Sequence, residues 1–333
     1  MTHELLTIGR ISVDIYPNDV GVGLEDVTSF SKYLGGSPAN VAVAAARHGR
    51  RAAVITRTGD DPFGAYLHRE LRKFGVDDCF VSPVRQWPTA VTFCAIMPPD
   101  QFPLYFYGRL PTAPDLQITP EELDLDAIRE ARIFWSTVTG LCAEPSRAAH
   151  RKAHEARSRS DLAEGQFTVL DLDYRPMFWP SREEARTQIA QILPQVTVAI
   201  GNDTECAVAV GEGTPDEQAD RLLAAGVEIA VVKLGSAGVM AKTRTERVVS
   251  APVPVETVNG LGAGDAFGGA FCHGLLSGWP LAGILDYANA AGAIVASRLS
   301  CADAMPTPDE VVALLAERGR PVPSTFSFEG TTL

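Results

Sequence analysis

The sequence predicts an α/β fold, a three-layer α/β/α sandwich with a mainly parallel central sheet and a small β-sheet lid. Three observations support this prediction. Apolar segments rich in β-branched residues alternate with helical patterns, these segments end in glycine or polar residues, and two long stretches fit neither pattern. The 333 residues suffice for one large domain. We expect it over residues 1–320, with a loosely ordered tail rich in Pro, Ser and Thr at 321–333.

The first strands and helices alternate within residues 5–76. Residues 5–14 and 52–61 each form an apolar run that ends in a turn, which is typical of a buried strand. The alanine-rich segment 40–49 and the amphipathic segment 62–76 have helical spacing and end near glycines. Strands that alternate with helices at this rhythm predict βαβ units and parallel strands.

Four later segments continue the sheet. Each is rich in β-branched residues and ends in Gly, Asp, Asn or Lys; they are 132–140, 167–173, 196–202 and 229–235. The carboxyl ends of parallel strands line the ligand crevice of such a sheet. We therefore expect polar side chains to gather at one edge of the sheet.

Residues 15–34 and 88–112 interrupt the alternation. Neither is helical, and the second contains two strand-like runs around the turn "PPDQFP". We interpret both as strands that leave the main sheet and form a small sheet over its ligand edge.

Composition excludes several classes of function. A net charge of −12 is unsuited to nucleic-acid binding, and no apolar run reaches the roughly 20 residues that span a bilayer. The N-terminus lacks the basic and apolar regions of a signal peptide, so we expect a cytoplasmic protein without a membrane partner. Six cysteines without a CxxC pair are more typical of reduced, mostly buried thiols than of a disulfide framework or a zinc site.

His150 and His154 lie four residues apart in a basic, helix-like segment. They could share a helix face as metal ligands, but no third ligand is evident. The pattern favours a solvated helix face.

The segment "NGLGAGDAFGG" at 259–269 carries the strongest chemical signal. Its spacing is not that of a dinucleotide fingerprint, and no Lys-Ser/Thr pair follows as in a Walker A loop. Glycines ahead of a helix starting near Ala266 would let backbone N–H groups bind a phosphate. Asp265 then makes sense as the base that accepts a proton from a hydroxyl attacking phosphorus.

A second segment, "LGGSPANVAVAAARHG" at 34–49, adds paired glycines and an asparagine at a helix start. Together the two segments resemble the two signatures of the PfkB (ribokinase-like) carbohydrate kinases, and the resemblance extends over nearly the whole chain. It implies a ribokinase-like fold and transfer of a phosphoryl group from ATP with Mg²⁺. By this resemblance the catalytic residues are Asp265, Gly262, Ala263 and Gly264, and the sugar hydroxyls meet Asp14, Gly35, Gly36 and Asn40. Likewise, the nucleotide site would involve Asn202, Lys233, Gly235, Gly238 and Asn289, with Glu205 near Mg²⁺ through water.

The second signature departs from the family pattern D-T-x-G-A-G-D. This chain has Asn259, Gly260 and Leu261 ahead of Gly262, whereas the Asp and Thr of the pattern help to bind a monovalent cation in several members. The departure argues against activation by K⁺ and leaves Asp265 untouched.

Two arginines bear on the acceptor. Arg175 lies in "DLDYRPMFW", which resembles an element of kinases for keto-deoxy sugar acids, and Arg109 lies on the expected lid. Either can bind a carboxylate or ATP phosphates, and the alternative for each is an ion pair on the surface. Motif spacing leaves open which six-carbon keto acid is used; fructose ranks third because it has no carboxylate.

Two other classes of function fit the sequence less well. A non-catalytic sugar sensor would keep the fold but usually lose the aspartate or the glycines, and a nicotinamide-dependent oxidoreductase would need glycines in another place and spacing. The family resemblance also suggests a homodimer formed through the lid.

Overall fold

The computed structural model describes residues 2–110 and 113–323 and contains two sheets. The strands are β1 Leu5–Ile8, β2 Ser12–Pro17, β3 Phe30–Gly35, β4 Ala52–Gly59, β5 Val76–Asp77, β6 Val81–Val84, β7 Val91–Cys94, β8 Leu104–Tyr107, β9 Ile133–Thr137, β10 Phe167–Asp171, β11 Val198–Asn202, β12 Ile229–Lys233, β13 Val239–Lys242 and β14 Arg247–Ser250. The helices are α1 Ser37–Arg47, α2 Pro62–Lys73, α3 Leu125–Glu130, α4 Ser146–Ala156, α5 Arg182–Ile192, α6 Asp203–Val210, α7 Pro215–Ala224, α8 Ala263–Leu276, α9 Leu281–Ala296 and α10 Pro308–Glu317.

The main sheet has ten strands in the order β14-β13-β12-β11-β10-β9-β1-β4-β5, with β6 paired to β4. The strands from β12 through β5 are parallel, and β13 and β14 add an antiparallel edge. The predicted mainly parallel sheet is confirmed. Its parallel strands bring the ends of β9, β10, β11 and β12 to one edge, as the segments at 132–235 predicted.

Side chains alternate between the two faces of the sheet and build a core on each. On one face, Leu5 and Val169 pack in a cluster with α1, α2, α8, α9 and α10. On the other face, Leu170 packs with α5, α6 and α7, and Leu6 packs with α3 and α4. Because successive strand residues point to opposite faces, runs without polar residues are buried on both sides. The three-layer sandwich is confirmed.

The smaller sheet has the order β3-β2-β7-β8. Its strands fall within or beside the stretches 15–34 and 88–112, so the prediction of a separate small sheet is confirmed; residues 111 and 112 lie outside the described part. One difference concerns residues 5–14, which form two strands rather than one. Gly9 has φ 131°, and there the chain leaves the main sheet before β2 begins at Ser12.

The prediction of a solvated face for His150 and His154 is wrong. Both imidazoles on α4 are buried, since α4 packs on the main sheet. His150 Nδ1 lies 2.9 Å from the Ser146 carbonyl oxygen, and His154 Nε2 lies 2.8 Å from Ser136 Oγ. Burial lowers the pKa of His154 to about 3, so the ring is neutral.

The single-domain boundary at residue 320 stays a prediction, and most of the predicted tail, from residue 324 on, lies outside the described residues. Among the residues described, no helix combines the length and apolar character needed to cross a bilayer.

Candidate active site

A cavity of about 240 Å³ lies between the carboxyl edge of the main sheet and the small sheet. Both sheets and the start of α8 contribute to its wall. Its lining includes Arg10, Ser12, Asp14, Gly36, Ser37, Asn40, Thr92, Phe106, Asp171, Asp173, Arg175, Glu205, Lys233, Gly262, Gly264, Asp265 and Cys301. The structure therefore brings together the two glycine-containing segments, which are more than 200 residues apart in the sequence.

Asp265 lies in the first turn of α8, which begins at Ala263 rather than near Ala266. Its Oδ1 accepts a 2.8 Å hydrogen bond from Ser37 Oγ, and its Oδ2 accepts a 2.8 Å hydrogen bond from Asn40 Nδ2. Burial raises the pKa of Asp265, while these two donors act in the opposite direction. A carboxylate with a raised pKa beside a cavity is suited to accept a proton.

Gly262 is the residue just before α8 and has φ 80°, a left-handed conformation that favours glycine. A Cβ on Gly262 would lie 2.8 Å from Cys301 Sγ, so the turn packs directly against the loop that follows α9. Asn259 joins the same two segments. Its Nδ2 donates to the Leu299 carbonyl at 2.7 Å, and its Oδ1 accepts from the Leu261 N–H at 3.0 Å. The glycine turn is thus fixed by protein contacts.

The paired glycines allow a close approach of three segments. A Cβ on Gly35 would lie 2.0 Å from the Asp14 carboxyl carbon, and one on Gly36, where φ is 98°, would lie 2.6 Å from the Arg10 carbonyl oxygen. Burial raises the pKa of Asp14 to about 7, although Ser12 Oγ donates to it at 2.7 Å. Asn40 Oδ1 is buried and has no hydrogen-bond partner among the described residues. Both groups are therefore available to bind hydroxyls of a ligand.

Three charged side chains form a network at the end of β10. Asp173 lies between two guanidinium groups, with Arg10 Nη2 at 2.5 Å and Arg175 Nε at 2.8 Å. Burial alone would raise the pKa of Asp173, but these arginines hold it well below its usual range. Arg10 is buried, whereas the Arg175 side chain is 37% exposed. Arg175 is therefore the more accessible of the two cations that flank Asp173.

Arg109 does not line this cavity. Its guanidinium is buried and forms two hydrogen bonds with Asp115, at 2.9 and 2.8 Å, and it stacks over the Phe178 ring. The interpretation of Arg109 as an anion-binding residue of the site is therefore corrected: in this structure its charge is neutralised by Asp115 within six residues along the chain.

A second cavity of about 510 Å³ adjoins the first and contains more apolar side chains. Lys233 and Gly264 line both cavities. The second cavity is also lined by four residues that were predicted from the sequence to belong to the nucleotide site or to the glycine turn: Gly235, Gly238, Ala263 and Asn289. The cavities thus meet beside Asp265.

Local structure explains two of these positions. Gly238 has φ 96°, and a Cβ there would lie 2.2 Å from the Ser250 carbonyl oxygen. Asn289 Nδ2 donates to Ser250 Oγ at 2.9 Å, which ties α9 to β14.

At Lys233, burial opposes the charged form of the side chain, but the carboxylates of Glu205 and Asp171 outweigh this effect and raise the pKa of Lys233. The ammonium is therefore charged where the cavities meet.

Asn202 and Glu205 form a capping box at the start of α6. The Glu205 N–H donates to Asn202 Oδ1 at 2.9 Å, and Glu205 Oε2 accepts from the Asn202 N–H at 2.7 Å. The box fixes the Glu205 side chain at the cavity wall, whereas Asn202 is exposed and does not line either cavity.

Sequence reasoning missed Arg10, Ser12, Ser37, Asp171 and Asp173. All five lie at or next to strand ends or at a helix start, and all five line the first cavity. The signal was present for Asp171 and Asp173, which belong to the polar ends of strand segment 167–173. No signal in the sequence marks Ser37 as a partner of Asp265.

The chain is similar to proteins of known family along most of its length. Residues 2–308 match the sequence pattern of the family described as pfkB family carbohydrate kinase. A protein of Listeria monocytogenes serotype 4b named 5-dehydro-2-deoxygluconokinase is 32% identical over 318 residues, covering 94% of this chain and 96% of that protein. A protein of the same name from Geobacillus kaustophilus is 34% identical, with 91% of each chain covered.

Solved structures agree in fold. A putative ribokinase II from E. coli, in complex with ATP and Mg²⁺, superposes with a TM-score of 0.84 at 23% identity, covering 95% of this chain and 99% of that one. Fructokinase with bound ATP from Xylella fastidiosa gives 0.81 at 23% identity, covering 96% and 100%. With the family match over residues 2–308, the two cavities and the glycine turn beside Asp265, the chain belongs to the pfkB family of carbohydrate kinases.

Proposed function

We propose that this carbohydrate kinase transfers the γ-phosphoryl group of ATP to the C6 hydroxyl of 5-dehydro-2-deoxy-D-gluconate, a step of myo-inositol catabolism. The support comes from relatives at 32–34% identity that carry the name 5-dehydro-2-deoxygluconokinase. The segments "GRISVDIYP" and "VNGLGAGDAFGGAF" also resemble that kinase more than other members. Kinases for 2-keto-3-deoxygluconate and for fructose are the alternatives within the family.

The observation that carries the proposal is the junction of the two cavities. The first is small and lined by charged groups, as suits a sugar acid, and the second is larger and more apolar, as suits a nucleoside. Lys233 and Gly264 line both cavities. A phosphoryl group placed beside these two residues would therefore lie between a ligand in the first cavity and a ligand in the second. Asp265 follows Gly264 in the chain and lines the sugar side.

Each group at the junction has a role in phosphoryl transfer. As the bond between the sugar oxygen and phosphorus forms, the hydroxyl proton passes to Asp265. The N–H groups of Gly262, Ala263 and Gly264 at the positive end of α8 stabilise the charge on the moving phosphoryl group. Lys233 adds a positive charge at the same point.

The carboxylates of the first cavity fit Mg²⁺. Burial raises the pKa of Asp171 against the effect of Lys233, and the neighbouring carboxylates raise it further, so a divalent cation would favour its charged form. Glu205, held by its capping box, would bind the ion through water, in keeping with the slow dehydration of Mg²⁺. When bound, the ion supplies charge neutralisation to the phosphate oxygens.

Arg175 is our candidate for the substrate carboxylate. It lines the sugar cavity, is partly exposed, and is held in place by Asp173 through one side of its guanidinium. A planar guanidinium binds a carboxylate with two parallel hydrogen bonds.

The homodimer stays a prediction. The outer face of the small sheet, through which it would form, carries the exposed rings of Phe30, Tyr105 and Tyr107.

A coupled assay for ADP release tests the proposal. The acceptors are 5-dehydro-2-deoxy-D-gluconate, 2-keto-3-deoxygluconate and fructose, each with Mg²⁺ and ATP. We expect the highest kcat/KM for the first, and phosphorus NMR of the product to place the phosphate on C6.

Three outcomes would contradict the proposal in different ways. A higher kcat/KM for 2-keto-3-deoxygluconate would transfer the assignment to that acid. A higher kcat/KM for fructose would contradict the assignment of Arg175 to a substrate carboxylate, because fructose has no carboxylate. Thermal shifts with a sugar acid but no ADP would indicate a sensor that binds without turnover.

A further inference from the structure

A group of three potential metal ligands lies on the surface near the amino edge of the main sheet. His3 precedes β1, Asp77 ends β5, and Cys79 follows two residues later. Arg10, which lines the active-site cavity, lies beyond the other end of β1, so this group is separated from the active site by the length of the strand. Within residues 2–110 and 113–323 it is the one group of three or more His, Cys, Asp or Glu whose ligand atoms come this close together.

We propose that His3, Asp77 and Cys79 form a binding site for a divalent transition-metal ion of the Zn²⁺ class. One ligand atom from each residue lies within 4.8 Å of the other two, and His3 Nε2 is 3.0 Å from Asp77 Oδ2. In a tetrahedral zinc site, bonds of 2.0–2.3 Å place neighbouring ligand atoms about 3.3–3.8 Å apart. Small side-chain rotations would bring the three atoms to that spacing.

The ligand types select the ion. An imidazole nitrogen, a carboxylate oxygen and a thiolate sulfur together suit Zn²⁺ and Co²⁺, whereas Mg²⁺ prefers oxygen ligands alone. The site is therefore chemically distinct from the all-carboxylate groups of the active-site cavity. Three protein ligands leave a fourth position for water, and the exposure of Asp77 and Cys79 gives solvent access to it.

The surroundings support the geometry of the site. The Cys79 N–H donates to Asp77 Oδ1 at 3.0 Å, which leaves Oδ2 toward His3. The His3 ring also packs edge-on against Phe80, with centroids 5.7 Å apart. The neighbouring Asp78 is engaged by His68 and Arg72 and does not compete for the ion.

Binding at this site would join the chain start to the loop after β5. His3 and Asp77 are 74 residues apart, and their contact in the ion-free protein is a single hydrogen bond. A ligand that binds only the folded state raises its stability. Zn²⁺ should therefore raise the melting temperature without changing kinase activity, because none of the three residues lines either cavity.

The test is a titration of the full-length protein with Co²⁺, in a non-chelating reductant and with millimolar Mg²⁺ present. We expect one equivalent of Co²⁺ to produce near-ultraviolet thiolate-to-cobalt charge-transfer absorption, which Zn²⁺ abolishes by displacement. Cys79→Ser should remove this absorption, and His3→Gln should weaken Co²⁺ binding at least 10-fold. Both variants should retain the kcat of the parent chain.

His68→Gln is the matched control. His68 is about as exposed as His3 and also pairs with an aspartate, but it lies outside the group. This variant should bind Co²⁺ like the parent. The proposal is overturned if the parent shows no charge-transfer absorption, if Cys79→Ser retains it, or if His68→Gln loses it to the same extent as His3→Gln.

Discussion

The side-chain amide of Asn40, near the start of α1, donates a 2.8 Å hydrogen bond to Asp265 in the first turn of α8. Ser37 holds the other carboxylate oxygen, also at 2.8 Å. The segment at 34–49 therefore orients the residue that we assign as the base. This contact joins the two segments from which the sequence predicted the site.

Asp265→Asn should lower kcat by about 10²–10⁴-fold, because it removes the proton acceptor while keeping the shape of the side chain. ATP binding, measured by calorimetry, should remain close to that of the parent chain. Near-normal turnover in this variant would contradict the assignment of Asp265 as the base.

Ser37→Ala should move the acid limb of the kcat/KM profile to higher pH. The Ser37 hydrogen bond favours the ionised form of Asp265 and lowers its pKa, so removing it raises the pKa further. A base with a higher pKa loses activity earlier as the pH falls. Steady-state assays from pH 5 to pH 9 would measure the limb, and an unchanged profile would argue that Ser37 does not influence the base.

Arg175→Gln should lower kcat/KM for the acidic acceptor by roughly 10–10²-fold, since a hydrogen bond to a charged group contributes about 1.5–3 kcal/mol. The KM for ATP should change little if the arginine meets the sugar carboxylate. A loss confined to ATP would instead assign Arg175 to the phosphates.

Arg109→Gln should act on stability and not on substrate choice. It breaks a buried ion pair with Asp115 and leaves a carboxylate without its partner, which costs about 3–5 kcal/mol. Urea unfolding measures this loss. A change in the ratio of kcat/KM between acidic and neutral sugars, with stability intact, would contradict the structural role.

The parent chain should have the same kcat in K⁺ and in tetramethylammonium. Asn259 already joins the glycine turn to the Leu299 carbonyl, so no cation is needed to bridge them. Asn259→Asp should lower kcat, because a carboxylate would face that carbonyl oxygen at a distance of about a hydrogen bond. A several-fold activation of the parent by K⁺ would contradict this prediction.

Lowering the pH should destabilise the protein through its buried histidines. The pKa of His154 is lowered to about 3 in the folded chain, so below its unfolded value of about 6.5 the unfolded state binds more protons and stability falls toward pH 3. From pH 7 to pH 5 this group alone costs about 2 kcal/mol. His154→Gln should show a smaller fall in urea midpoint over that range; an equal fall would assign the effect elsewhere.

Periodic features of the sequence predicted the sheet and its helices, because buried strands and amphipathic helices leave regular patterns. They did not separate β1 from β2, since the change of sheet at Gly9 depends on one backbone angle inside an apolar run. The histidines of α4 were misjudged for a related reason: their neighbours along the chain are basic, but their burial depends on the sheet packed against them.

The sequence predicted those parts of the candidate site whose residues lie close together in one segment of the chain. Asp265 and its glycines follow one another, and so do Gly35, Gly36 and Asn40. Arg109 shows the opposite case. A guanidinium group is suited to an anion-binding site, but the charge of Arg109 is neutralised by the Asp115 carboxylate six residues along the chain. Only the three-dimensional structure shows this ion pair.

The chain passes from the small sheet into α1 through Gly35 and Gly36, so both donors that hold Asp265 follow directly on β3. A movement of the small sheet would therefore act on the two hydrogen bonds that hold Asp265, the residue that we assign as the base. The two hydrogen bonds leave each carboxylate oxygen of Asp265 with further capacity to accept a hydrogen bond from a group in the cavity.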